Sequence, residues 1–344
     1  MSDFDALMRD EQIAWRRRAL PGLTRRGRQN GGEYDHVLPA ESWEEGLWEG
    51  IRTGTPDALP LYLTEKKIQR HTGSHNLLSS WVLCANLYYP FRADPFGLAT
   101  LAAFLRTAVA ADIAEVTDVQ LEWVDDPPRT AADLLGETGG SRGSHQTSPD
   151  VAFRVRLSSD ERHGVVLTES KFTEHSFYDC SARRLLDPAQ RVAQCELDWR
   201  SGGVLATPDT GCAQHRLLQR RYLHHVGPVL RAHGAHKTLS LCPAARGGYQ
   251  LMRQQALAEA LANTNHYGRV VSAVAWHRDN PDLMRSLRAS GIADVRTDWK
   301  PLAAGVAGFA TFTHQAWVAH VRGAANPPPW TRRWAAWIGD RYRM

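Results

Sequence analysis

Long apolar runs are missing from this chain. No stretch approaches the roughly 20 consecutive apolar residues that a membrane helix requires, so a membrane protein of that kind is not expected. The first residues, MSDFDALMRDEQIAWRRRAL, put acids in front with no apolar segment behind them. That does not read as a secretory signal. Cysteine is scarce: five in 344 residues, an odd number, is not a disulfide framework. A reducing cytoplasm is the expected setting. Lysine is rarer than its partner arginine. Of 41 basic residues only Lys66, Lys67, Lys171, Lys237 and Lys300 are lysines, a bias that genomic base composition explains more simply than function. A strong excess of one charge is lacking too: the formal net charge of +4 permits a nucleic-acid partner without demanding one. Repeats and long low-complexity segments are absent. What is there, 43% hydrophobic residues, is enough for one large domain or two modest ones.

Residues 1–74 are polar, rich in Arg, Gly and Pro at first, and read as a helical, basic arm with Arg16, Arg17, Arg18, Arg25, Arg26 and Arg28 on a solvated face. His75–Tyr89 carries apolar residues at helical spacing and stops at Pro90, and Phe96–Ala110 is a second apolar helix. Val116–Val124 reads as a strand, and Asp125–Ser148 as a loop full of Pro, Gly, Ser and Thr. Val151–Leu157 and Val165–Thr168 are two strands joined by the polar turn SSDERHG, a hairpin. Residues 175–247 form a long insertion rich in Cys, His and Arg. Tyr249–Asn263 is a helix and Val270–Trp276 a final strand, reached by a crossover that makes it parallel to its neighbour. The order helix, three strands, helix, strand defines an α/β core with a mixed central sheet over residues 75–290, and the Trp/Arg-rich tail 291–344 is expected to pack on it.

The hairpin places chemistry. Asp150 opens one strand and Glu169 closes the next, so in an antiparallel pair they lie side by side. Side chains on a strand alternate, so Glu169 and Lys171 point the same way. Two converging carboxylates with an ammonium beside them are the minimal equipment for metal-assisted phosphodiester hydrolysis: Mg²⁺ takes one or two carboxylates and leaves room for water and phosphate. The carbonyl of Ser170 is a further ligand candidate. Lys171 can hold the attacking water and stabilise the transition state. An acid two residues before a lysine is expected by chance about half a time in this composition. It also occurs at Glu65-Lys66-Lys67 after Pro56-Asp57, but Pro60 and the short spacing leave no room there for a hairpin.

With those residues in place, SPDVAFRVRL and GVVLTESKFTE resemble the PD-(D/E)XK nuclease superfamily, the restriction-endonuclease-like fold. The resemblance implies an α-β-β-β-α-β core and hydrolysis of DNA dependent on Mg²⁺ (or Mn²⁺). It implies Asp150 and Glu169 as metal ligands and Lys171 as the catalytic lysine. His75-Asn76 with Ser79-Ser80, Glu169-x-Lys171-x-Thr173-Glu174 and Tyr249-Gln250-Leu251-x-Arg253 resemble a bacterial subgroup of that fold. Many members carry an extra acid on the first core helix. Here 96–110 has none, and Glu122 is the candidate instead, with a surface carboxylate at a strand end as the plainer alternative. Gln250 is a candidate for touching phosphate or water. A homodimer, or a partner protein supplying specificity, is compatible with this reading. So is a non-catalytic nucleic-acid-binding protein that keeps the fold.

Two constellations lie outside the hairpin. Arg216, Arg220 and Arg221, with Arg253, are candidates for a phosphate backbone, against a solvated helix face. Cys180, Cys195, Cys212 and Cys242 all follow Lys171, and Cys212 with His215 makes a C-x-x-H pair. Some nucleases of this fold hold zinc or an iron–sulfur cluster through four such residues. The spacings match no strong zinc pattern, so semi-buried thiols are the expectation.

Overall fold

The computed structural model describes residues 3–140, 142, 146–158, 160, 162–196, 198–201, 205 and 208–344. A short hairpin, β1 (Gly27–Gln29) and β2 (Gly32–Tyr34), precedes a five-stranded sheet. The sheet strands are β3 (Ile113–Leu121), β4 (Val151–Leu157), β5 (His163–Lys171), β6 (Arg269–Trp276) and β7 (Gly308–Thr313), and they lie side by side in that order. The pairs β3–β4 and β4–β5 are antiparallel, and β5–β6 and β6–β7 are parallel. The β4–β5 hairpin and the parallel crossover into β6 are as the sequence pattern suggests. Ser159 and Glu161, in the expected turn, lie outside the described residues.

β5 sits at the centre and is buried from Gly164 to Lys171. That is why its apolar run is nearly continuous rather than alternating: helices cover both of its faces. Val166 and Phe172 belong to an apolar layer shared with the helices Ser80–Tyr88, Pro95–Ala108, His314–Arg322 and Pro329–Tyr342. Val165 and Leu167 face the other layer, built on the helices Tyr222–Ala232 and Tyr249–Ala262. The sheet therefore lies between two helical layers, each with its own core.

Three expectations are corrected. Val270–Trp276 is not the last strand. β7 extends the same sheet past residue 290, and its sequence GFATFT hides it because small, half-buried residues alternate weakly. The first strand ends at Leu121, so Glu122 stands just beyond it. The N-terminal segment is no free arm: the helix Asp3–Ala19 buries Phe4, Met8, Gln12 and Trp15 on one stripe and docks on Pro329–Tyr342. There Gln12 Nε2 donates to the Arg341 carbonyl (2.7 Å), and Arg341 Nε donates back to Gln12 Oε1 (3.2 Å). Arg16, far from being solvated, is buried and donates to the carbonyls of Asp35 and Val37 (2.7 and 3.0 Å). The C-terminal tryptophans turn inward likewise, with Trp334 Nε1 donating to the Asn86 carbonyl (2.7 Å). Among the described residues no helix is long and apolar enough to cross a membrane.

Candidate active site

The start of β4 and the end of β5 meet at one mouth of the sheet. Val151 pairs with Thr168 in the antiparallel register, which puts Asp150 beside Glu169. The Ser170 N–H donates to Asp150 Oδ2 (2.7 Å) and fixes that carboxylate against the neighbouring strand. The Ser170 side chain points to the opposite face, towards Ser80 and His314, as alternation requires. Glu169 and Lys171 share the other face: Lys171 Nζ donates to Glu169 Oε1 at 2.9 Å and to Gln250 Oε1 at 2.8 Å. Gln250 is brought in by the first turn of the helix Tyr249–Ala262. His314, buried beneath the sheet end, bonds the Lys171 carbonyl through Nε2 (3.1 Å).

Glu122 completes the acidic group. It is 7% exposed and has φ +47°, a left-handed conformation that costs a non-glycine residue about 1–3 kcal/mol. Its N–H bonds the Asp150 carbonyl (3.1 Å), and Arg142 Nε caps its own carbonyl (2.5 Å). Strain of this kind persists where the surroundings over-determine it, and here it turns a third carboxyl towards Asp150 and Glu169.

Burial dominates the electrostatics, and crowding of the acids adds to it. Burial, and then the nearby charge of Glu169, push the Asp150 carboxyl well above the ordinary carboxylate range; Lys171 and the Ser170 N–H pull against this. Burial followed by Asp150 and Glu169 does the same to Glu122. Burial alone would lower Lys171, but Glu169, Glu174, Tyr178 and Asp150 together outweigh it and raise it. In the metal-free site these neighbours favour the charged form of the lysine.

These groups open into a cavity of about 470 Å³ lined by Asp150, Glu169, Lys171, Gln250, Ser79 and Tyr178, among others. Ser79 caps the helix Ser80–Tyr88, whose N-terminal turn faces the cavity. The opposite wall comes from segments whose pattern gave no hint of a site: Asp5 and Arg9 on the first helix, Gln29 and Asn30 of the β1–β2 hairpin, and His71. Asn76 links the two sides by donating to Gln29 Oε1 (2.8 Å). Tyr178, also at φ +57° and 52% exposed, lays its ring 5.3 Å from Lys171 Nζ.

The proposed arginine contacts lie elsewhere. Arg220 Nη1 donates to the Gly136 carbonyl (2.7 Å) and Arg221 to that of Asp133, so both tie down the 130–136 segment. Arg216 is exposed and bonds Gln194 (3.4 Å). Arg253 is half-buried against Tyr249 and lines a second cavity, beside the four cysteines. None of the four lines the acidic cavity. Arg216 and Arg221 remain exposed, while Arg220 and Arg253 are partly buried. The second acid–lysine sequence builds no hairpin: Leu59–Glu65 is a helix, and Lys66 and Lys67 are exposed.

The sequence profile of a family described as Restriction Endonuclease associating with ARP matches residues 9–343. The chain belongs to this family. The match takes in the first helix from Arg9 onward, the whole sheet and the C-terminal helix, so Arg9 and the strand β7 lie within the family's common extent. Its five-stranded mixed sheet between helices is that of a restriction-endonuclease-like fold. No curated protein and no solved structure matches the chain.

The donor set suits a hard divalent cation. Asp150 and Glu169 offer oxygens from adjacent strands, in a pocket with excess negative charge. No three acidic oxygens there close to within 4.8 Å of one another among the described residues. Mg²⁺ is commonly held by one or two carboxylates, with water and phosphate filling the rest of its shell.

Proposed function

We propose that the protein is a metal-dependent nuclease of the PD-(D/E)XK type that hydrolyses phosphodiester bonds in DNA. The observation that carries this reading is the meeting of Asp150, Glu169 and Lys171, with Glu122 behind them, at the floor of one open cavity. Asp150 and Glu169 would hold Mg²⁺ or Mn²⁺, with the Ser170 carbonyl as a further candidate. When bound, the metal supplies charge neutralisation at the phosphate and lowers the pKa of water. The chain's own residues do the rest. Lys171, held by Glu169 and Gln250, presents a fixed positive charge to the scissile phosphate. Gln250 orients Lys171. The N–H groups at the start of the Ser80–Tyr88 helix offer a cradle for a neighbouring phosphate. Arg9, Asn30 and Asn76 supply polar groups for the strand. The enzyme would work in the cytoplasm with its thiols reduced, as a homodimer or with the ARP partner that the family description names.

The test is cleavage of supercoiled plasmid and of single-stranded DNA with Mg²⁺, Mn²⁺ or EDTA, comparing wild type with Lys171→Ala and Glu169→Ala. Metal-dependent cutting that both substitutions abolish supports the reading. Absence of cutting on DNA and RNA, with nucleic-acid binding unchanged in both variants, would leave a binding protein that keeps the fold.

A further inference from the structure

Four of the five cysteines come together although 62 positions separate the first from the last. Cys180 precedes the turn Ser181–Leu185, Cys195 closes the helix Pro188–Gln194, Cys212 opens the helix Ala213–Leu218, and Cys242 precedes the turn Pro243–Ala245. All four line one small apolar cavity of about 40 Å³, next to Gln214, Met252 and Arg253. No two are joined in a disulfide. Each thiol is pushed up by burial, and neighbouring cysteines add to this at Cys195, Cys212 and Cys242. Unligated, the cavity is chemically odd. Arg253 Nε and Gln214 Oε1 are buried there without partners, and Gln214 Nε2 donates to Cys180 Sγ at 3.2 Å. A guanidinium N–H left unpaired in an apolar pocket costs free energy unless an anionic group meets it.

We propose that Cys180, Cys195, Cys212 and Cys242 ligate an iron–sulfur cluster. Thiolates select zinc or iron–sulfur centres among biological metals. The spacing separates the two. Zinc at about 2.3 Å from each sulfur would hold the four sulfurs roughly 3.8 Å apart. Among the described residues no three cysteine sulfurs lie within 4.8 Å of one another; the single group that close is Asp209, His215 and His224. His215 Nε2 faces Asp209 at 3.6 Å and belongs to that group. A four-iron cluster binds each thiolate on a different iron corner, which sets the sulfurs wider apart. Each thiol gives up its proton on ligation. The negative charge of the ligated cluster would meet the Arg253 guanidinium and the Gln214 amide.

The position gives the cluster work. Around the cysteines the described residues of the insertion form short helices and turns. Its first residues are strapped to the site: Cys180 N–H bonds the Ala244 carbonyl (2.7 Å), Gln250 N–H bonds that of Phe177 and Tyr249 N–H that of Tyr178 (both 2.9 Å). Cross-linking the four cysteines therefore fixes Tyr178 and Gln250, the two residues that flank Lys171 on this side.

The experiment is anaerobic purification of the full chain, followed by iron, acid-labile sulfide and zinc analysis and visible absorption. Wild type is compared with Cys195→Ser, Cys242→Ser and, as a control, Cys84→Ser. About four iron and four sulfide per chain are expected in wild type and Cys84→Ser, with most of both lost in the other two variants. Stoichiometric zinc without sulfide overturns the assignment. So does metal-free wild type whose thiols are all alkylated by a small reagent after mild unfolding and whose melting point is unaffected by reconstitution with ferrous iron and sulfide. The wild-type content decides even where a serine variant fails to fold. None of these readings uses cleavage, so failure of the nuclease reading and failure of this one are separately visible.

Discussion

Neutralising Asp150 should stabilise the metal-free protein, while neutralising Glu169 should destabilise it. Opposed residues on antiparallel neighbours stand about 5 Å apart at Cβ. At an effective dielectric near 20, two unit charges at that separation repel by about 3 kcal/mol. Proton uptake relieves part of this, so Asp150→Asn should gain about 1–3 kcal/mol in chelator. Asparagine keeps an oxygen to accept from the Ser170 N–H, so no hydrogen bond is forfeited. Glu169→Gln takes the charge partner from Lys171, which is 2% exposed, and breaking a buried pair from one side costs about 3–5 kcal/mol. An unfolding entropy of about 2.1 cal per mol per kelvin per residue makes 1 kcal/mol worth about 1.4 °C in a chain of 344 residues. Thermal melting in EDTA should then show Asp150→Asn roughly 1–4 °C above wild type and Glu169→Gln about 4–7 °C below it. Magnesium at a hundred times its Kd adds about 2.7 kcal/mol, or about 4 °C, to wild type. It should add nothing to Asp150→Asn. A lower melting point for Asp150→Asn in EDTA, or an equal magnesium shift in both proteins, refutes the reasoning.

Removing one of the two acceptors of Lys171 with Gln250→Ala forfeits a charge-assisted hydrogen bond of about 1.5–3 kcal/mol, a 10–150-fold slower single-turnover cleavage at saturating metal. Gln250→Glu, which keeps an acceptor, should recover most of it, and a wild-type rate in Gln250→Ala would rule out the positioning role. The raised carboxyls of Asp150 and Glu122 set a pH dependence. Folded, they bind protons above pH 3.8 and 4.5, where the unfolded chain has released them, so stability falls as pH rises from there towards their folded values. The melting advantage of Asp150→Asn over metal-free wild type should therefore widen from pH 4.5 to neutrality, and a constant difference contradicts it. Tyr178→Ala removes an exposed ring at the cavity mouth, and base stacking of about 1–3 kcal/mol predicts roughly 5–150-fold weaker single-stranded DNA binding with little change in melting. Unchanged affinity in a titration would remove Tyr178 from the binding surface.

The part of the site that the sequence exposes is the part encoded locally. The β4–β5 hairpin follows from alternation and a polar turn, and its register alone sets Asp150 beside Glu169 with Lys171 on the same face. The helix bearing Gln250 is likewise written in its own periodicity. What stays hidden depends on contacts between distant segments. Gln12 and Arg341 find each other across 329 positions, and such long-range contacts place Asp5 and Arg9 at the cavity. Arg220, Arg221 and Arg253 have the composition of a nucleic-acid surface, and the Gly136 and Asp133 carbonyls and the cysteine cavity that meet them come into place only when distant segments fold together. β7 goes unread because glycine, alanine and threonine on a half-covered edge produce no apolar rhythm.

The docking of the first helix on the helix Pro329–Tyr342 also imposes an order in time. As the chain leaves the ribosome, Asp150, Glu169 and Lys171 emerge long before the segment that anchors Asp5 and Arg9 above them. Phe4, wedged against Phe172 and His277 beside the lysine, has a complete seat only once Tyr342 closes on Phe172. The acidic floor is thus translated early and its roof is latched last. A nascent chain passes through synthesis with the cavity unfinished, and the pocket is whole only when the two distant helices are joined.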